Sequence, residues 1–155
     1  MTSTPIGGHL RQNVISADSP QGRLFRHPEP PRERTRVWPV YLSFHGCPGR
    51  CVFCAQPVQA GAPPVPLAQT LAAMERELDR AARDGRGPYD LAFYGGVFTA
   101  LPEPWPRRFL EAGLRFRRAG LIRRMRCSTR PDARPPKLLA ELAGLGLDQI
   151  GRAHG

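Results

Sequence analysis

Apolar positions recur along this chain with two different periods, and the two periods take turns. Val37-Trp38-Pro39-Val40-Tyr41-Leu42-Ser43-Phe44 is β-branched and aromatic, over a length suited to one buried strand. From Leu67 to Arg83 the spacing changes. Leu67, Leu71, Met74 and Leu78 recur every three or four residues, with Glu75, Arg76, Asp79 and Arg80 turned away, which predicts an amphipathic helix. Asp84-Gly85 and Gly87-Pro88 stop it. Asp90 to Tyr94 predicts a second strand running into Gly95-Gly96. A second helix is expected over Pro102 to Ala119, with proline at its start, where a missing N–H costs little. Ile122 to Ser128 predicts a third strand. Pro135 to Leu145 predicts a third helix with Leu138, Leu139, Leu142 and Leu145 inward. Gly144 and Gly146 supply helix-stop chemistry before a fourth strand from Leu147 to Ile150.

Strand and helix alternating at this spacing predict parallel βαβ units, an α/β fold class. Such folds carry their active groups on the loops that follow the C-terminal ends of strands. Cys47–Cys54, Gly95–Thr99 and Ser128–Asp132 all hold that position, so three loops are expected on one rim. Residues 1–36 carry Gly, Pro and Arg without an apolar period and are read as a poorly ordered leader. The domain proper is expected from Val37 to the end, 37–155.

Composition changes this picture little. The 155 residues suit one domain, and the 18 prolines leave less chain for regular elements. The net charge of +10 is almost entirely arginine, with Lys137 the only lysine. Together with abundant Ala, Gly and Pro this is the pattern of a GC-rich coding bias. It remains compatible with an RNA or other phosphate-bearing substrate, because arginine pairs well with phosphate. No apolar run reaches about 18 residues, so no membrane partner is expected. Met1 to Leu10 has neither a basic start nor an apolar core, which argues against a secretory signal. A cytoplasmic location is expected, where thiols stay reduced and free for metal.

The candidate chemistry lies in Cys47-x-x-x-Cys51-x-x-Cys54. Three thiolates this close can turn inward around a soft metal, and Gly46, Pro48 and Gly49 let the backbone curl that tightly. Three local ligands leave one coordination site open, which signals chemistry more often than structure. Zinc stays as an alternative, with His45 or Cys127 as a fourth ligand, although zinc knuckles usually pair Cys-x-x-Cys with a second distant pair.

At this loop the chain resembles the radical S-adenosylmethionine (SAM) superfamily, whose signature is Cys-x-x-x-Cys-x-aromatic-Cys; Phe53 fills the aromatic place. Phe93-Tyr94-Gly95-Gly96-Val97-Phe98-Thr99-Ala100-Leu101-Pro102 and Ser128-Thr129-Arg130-Pro131-Asp132 agree with it. Those two segments are similar to the branch of the Elongator catalytic subunit and the oxygen-independent coproporphyrinogen oxidases. The resemblance implies that Cys47, Cys51 and Cys54 hold a 4Fe–4S cluster and that SAM chelates its fourth iron. It further implies that an electron, from a reductant such as flavodoxin or ferredoxin, cleaves SAM to a 5′-deoxyadenosyl radical that abstracts hydrogen from a substrate. Gly95 and Gly96 would lie against the methionine moiety of SAM, with Ser128, Thr129 and Arg130 near a ribose hydroxyl or carboxylate. Val97 departs from the family, many of whose members carry Glu after the paired glycines; Thr99 is the nearby hydroxylated residue. No catalytic base is assigned, and His45 is read as packing beside the cluster. A full eight-unit barrel takes about 250 residues, so the resemblance implies a partial (β/α) barrel, incomplete at the C-terminus. Two other functions stay open: a non-catalytic iron–sulfur or zinc module binding nucleic acid, and an inactive fragment. The substrate and the oligomeric state are not legible.

Overall fold

Parallel strands that follow one another in sheet order, joined through crossover helices of one hand, carry those helices on one face. This arrangement is what the computed structural model contains, over residues 36–49, 51, 54, 63–133 and 135–152. The elements are β1 (Arg36–Tyr41), α1 (Leu67–Arg83), β2 (Tyr89–Tyr94), α2 (Trp105–Arg118), β3 (Ile122–Thr129), α3 (Pro136–Gly144) and β4 (Leu147–Arg152). Single 3-10 turns occupy Phe98–Ala100 and Pro131–Ala133. The four strands are parallel, in the order β1-β2-β3-β4. The fold is α/β, a partial β/α arrangement. The expected leader lies outside the described residues apart from Arg36, and no helix among the described residues is long and apolar enough to cross a membrane.

The helices form where the apolar spacing places them. In α1, Leu67, Leu71, Met74, Leu78 and Ala81 are buried, and Arg80 and Arg83 complement the carbonyl end of the helix. They meet Leu91 and Phe93 of β2 and Met125 and Cys127 of β3 in one apolar cluster. Phe93 stacks on Phe98 with ring centroids 4.7 Å apart and meets Phe109 of α2 edge-on at 5.6 Å. Burying side chains of this size contributes about 1.5–3 kcal/mol each. The helix α2 comes close to the sheet at Gly113, where a Cβ would run into the Met125 sulfur and touch Leu91.

None of the described helices lies on the other face of the sheet. That face carries Val37, Pro39 and Tyr41 of β1, then Asp90, Ala92 and Tyr94 of β2, then Arg124, Arg126 and Ser128 of β3, in register. Arg124 grips Asp90 through Nε and Nη2 at 3.3 and 3.1 Å, which satisfies a carboxylate that is only 6% exposed.

Three sequence expectations are corrected. The first strand was expected to be buried and to reach Phe44, but it ends at Tyr41 and is an edge strand whose Tyr41 is 66% exposed. Only Trp38, Val40 and Leu42 face the helices; being apolar on both faces is not the same as being covered on both. The second helix begins at Trp105 rather than Pro102, because Pro102 and Pro104 each disfavour helical geometry in the residue before them, whereas Pro106 falls in the first turn, where its missing N–H costs little. In α3 only Leu142 is fully buried; Leu138 and Leu145 are partly covered and Leu139 stands outside the cluster.

Candidate functional site

The loop after β1 begins with two consecutive tight turns. His45 N–H donates to the Leu42 carbonyl and Cys47 N–H to the Phe44 carbonyl, at 3.0 and 3.1 Å. Such turns need left-handed backbone, which Gly46 supplies at φ 73° and Phe44 accepts at φ 62°. For a bulky residue that conformation is strained, and such strain persists only where the surroundings enforce it.

What enforces it is the loop after β2. Leu42 N–H donates to the Tyr94 carbonyl at 2.7 Å, Phe44 N–H to the Gly95 carbonyl at 2.9 Å, and Val97 N–H to the His45 carbonyl at 2.9 Å. The two loops are thus laced together by main-chain hydrogen bonds. The fit is too close for side chains. A Cβ on Gly96 would strike the Leu42 and His45 carbonyl oxygens, and one on Gly46 would strike the Val97 carbonyl. Sequence reasoning assigned the glycine pair to a close approach by ligand; the structure adds an approach by the cysteine loop itself. Val97, the departure from the family pattern, is 2% exposed and joins the loops through its backbone.

The third loop joins through side chains. Thr99 Oγ1 bonds both the Thr129 hydroxyl and the Ala133 carbonyl, with Thr99 and Thr129 buried. Arg130, at the end of β3, holds Asp132 through Nε and Nη2 at 3.0 and 2.9 Å. Ser128 is half-buried on the open face of the sheet. The three predicted loops do converge on one rim. Within them Thr129 serves the wall, since its hydroxyl is taken up by Thr99 and none of its surface is open. That bond was not legible beforehand, because its partners lie 30 residues apart.

Cys47, Cys51 and Cys54 are half-buried, and Cys54 N–H closes a turn onto the Cys51 carbonyl at 2.9 Å. The Cys47 thiol is held above the ordinary thiol range. Burial is the largest cause, the charges of Cys51 and Cys54 add to it, and the Val97 amide and the Arg130 guanidinium act in the opposite direction. Cys47 is therefore near enough to Cys51, Cys54 and Arg130 to feel their charge.

The family model described as Radical SAM superfamily matches residues 41–151, well over half of the chain. The chain belongs to the radical SAM superfamily. Comparison with the curated proteins and with the solved structures gave no match.

For a radical SAM protein the question is whether these cysteines suit the cluster. In donor chemistry they do: soft sulfur ligands on a glycine-bearing loop, mutually repelling when ionised, are what a cationic centre relieves. In position they do not form a finished ligand set, since no three His, Cys, Asp or Glu side chains gather to hold a metal ion among the described residues. Val52 and Phe53, the aromatic place of the signature, lie outside those residues. The zinc alternative gains nothing. The His45 ring donates from Nε2 to the Val65 carbonyl at 2.9 Å, and Cys127, 2% exposed, belongs to the apolar cluster.

Proposed function

We propose that this chain binds a 4Fe–4S cluster through Cys47, Cys51 and Cys54, binds SAM beside it, and initiates hydrogen abstraction from a substrate. The supporting observation is the lacing of the cysteine loop to the Gly95-Gly96-Val97 loop, which holds a metal-ligand loop and a glycine-rich ligand loop against each other. With cluster and SAM bound, the chemistry supplied is one-electron cleavage of the sulfur–C5′ bond of SAM, giving methionine and a 5′-deoxyadenosyl radical.

The chain's own residues have separate tasks. Gly95 and Gly96 present backbone to the methionine end of SAM without side-chain bulk. Ser128 and Arg130 offer a hydroxyl and a cation to its ribose and carboxylate, while Thr129 holds their strand end in place from behind. Arg130 favours the thiolate form that ligation requires. Leu42, Val97 and Phe98, all nearly fully buried, exclude water from beneath the loops. A flavodoxin or ferredoxin supplies the electron, in the cytoplasm, and the two loop motifs place the chain near the Elongator and coproporphyrinogen oxidase branch.

Anaerobic reconstitution with iron and sulfide, followed by reduction with dithionite in the presence of SAM, tests the reading. A brown protein with charge-transfer absorbance that releases 5′-deoxyadenosine is expected, and replacing any of the three cysteines by Ala abolishes both. Colourless protein carrying stoichiometric zinc would sink it.

A further inference from the structure

The open face of the sheet bears three side chains in a row on β3, at 124, 126 and 128, each roughly 6.6 Å from the next. They are not equivalent. Arg124 has a carboxylate partner in Asp90. Ser128 stands at the rim. Arg126, between them, has no carboxylate partner among the described residues. Its Nη2 donates to the Tyr94 hydroxyl at 2.6 Å, and its guanidinium lies 5.7 Å from the centroid of the Tyr94 ring. Its Nε is sealed from solvent and donates to nothing among the described residues.

A buried donor left without an acceptor costs the desolvation of that group, so it calls for an explanation. The arrangement around it is that of a receptor. Tyr94 pins one end of the guanidinium, so its planar fork is held in one orientation. Tyr94 in turn lies beside Tyr41, ring centroids 6.2 Å apart, on the same face. The Nε is closed to water as it stands, so an oxyanion reaches it only when the groups over it move aside; one that does satisfies a donor already stripped of water and gains a charge-assisted bond.

We propose that Arg126, oriented by Tyr94, binds an oxyanion of the substrate, a carboxylate or phosphate, below the rim formed by the three loops. This rests on the proposed function in one respect only: that the molecule bound on this face is the one from which hydrogen is taken. Arg126 then sets which part of the substrate faces upward, and it selects for substrates with an anionic group one strand step below Ser128.

The test uses the full chain without cluster or SAM, so its outcome is separate from that of reconstitution. Arginine Nε–H resonances are followed by 15N–1H spectroscopy during titration with inorganic phosphate and, in parallel, with acetate; the Arg126 signal is assigned by its loss in Arg126→Lys. Saturable movement of that signal is expected, with anion-induced thermal stabilisation that Arg126→Gln weakens by about tenfold or more and Arg124→Gln leaves within about threefold. A response to phosphate alone marks a phosphate-bearing substrate, and a response to acetate as well marks a carboxylate. Should Arg126→Gln fail to fold, the wild-type signal assigned through Arg126→Lys decides by itself; should Arg126→Lys fail, the signal is assigned by its loss in Arg126→Gln, or by its displacement in Tyr94→Phe, which removes the hydroxyl that Arg126 holds. An unmoved Arg126 signal with both anions, or equal stabilisation in Arg126→Gln, overturns the site. Movement caused by SAM that excludes phosphate overturns the assignment to substrate.

Discussion

Phe93 and Tyr94 are neighbours in β2 and point to opposite faces of the sheet. Phe93 meets Phe98 and Phe109 in a region that excludes water, while Tyr94 meets Arg126 and Tyr41 on the face away from the described helices. On the covered face contacts are apolar and numerous, and no single one matters much to specificity. On the open face the contacts described include polar, directional ones: Asp90 with Arg124, Tyr94 with Arg126. One side of the sheet supplies most of the apolar burial, and the other carries paired polar side chains. The rim joins them, since Thr99 and Thr129 are buried polar residues at the edge of the apolar cluster.

The sharpest way to break that contrast is Phe93→Ala, expected to cost about 3–5 kcal/mol through lost burial and a residual cavity. A fall in the urea midpoint at unchanged slope would measure it. Gly113→Ala follows. On helix propensity alone the change should help by about 1 kcal/mol, but the new methyl meets Met125 and Leu91. Overpacking is expected to win, with a net loss of about 1–3 kcal/mol; a rise in Tm would show that α2 sits less tightly on the sheet than the structure has it.

On the open face the largest effect expected is that of Asp90→Ala, about 1–3 kcal/mol, because the buried carboxylate gathers Arg124 and, at 3.9 Å, Arg123. Arg124, whose side chain is 47% exposed, recovers part of its hydration in the variant. Denaturation of Asp90→Ala beside Arg124→Gln and the double variant would isolate the coupling, and additivity would mean that the pair is decorative. Asp132→Asn is the smallest. Arg130 holds the Asp132 carboxyl below the usual carboxylate range. A depressed carboxylate contributes stability above its unfolded value and loses it as pH falls through the folded one. Wild type and variant should therefore differ slightly at neutral pH and converge in acid below the ordinary carboxylate range, by thermal melts in low salt.

Helix and strand periods are local properties, so α1, the parallel alternation of strand and helix and the convergence of three loops were all legible from residue spacing. The cysteine motif was legible for the same reason. How the glycines are used was only half legible: that Gly95 and Gly96 allow a close approach follows from their lack of a side chain, but that His45 and Leu42 make that approach depends on two loops about 50 residues apart. Pairings such as Thr99 with Thr129 and Arg126 with Tyr94 leave no trace in spacing.

The strand β3 shows where the division falls. Ile122-Arg123-Arg124-Met125-Arg126-Cys127-Ser128 announces a strand by its alternation from Met125 onward, yet Ile122 and Met125 are three residues apart and strict alternation would put them on opposite faces. Both are buried, at 2% and 0% exposure. An irregularity in register after the Tyr89–Ile122 pair resolves the conflict by aligning Asp90 with Arg124 rather than Arg123. The residue sequence by itself determined that this segment would be a strand with a cysteine loop upstream and a polar loop after it. Only packing against β2 and α2 decided which arginine meets Asp90 and which is left with a buried, unpaired donor. The physical reason is that a one-residue shift of register costs little locally but exchanges the two faces of everything that follows.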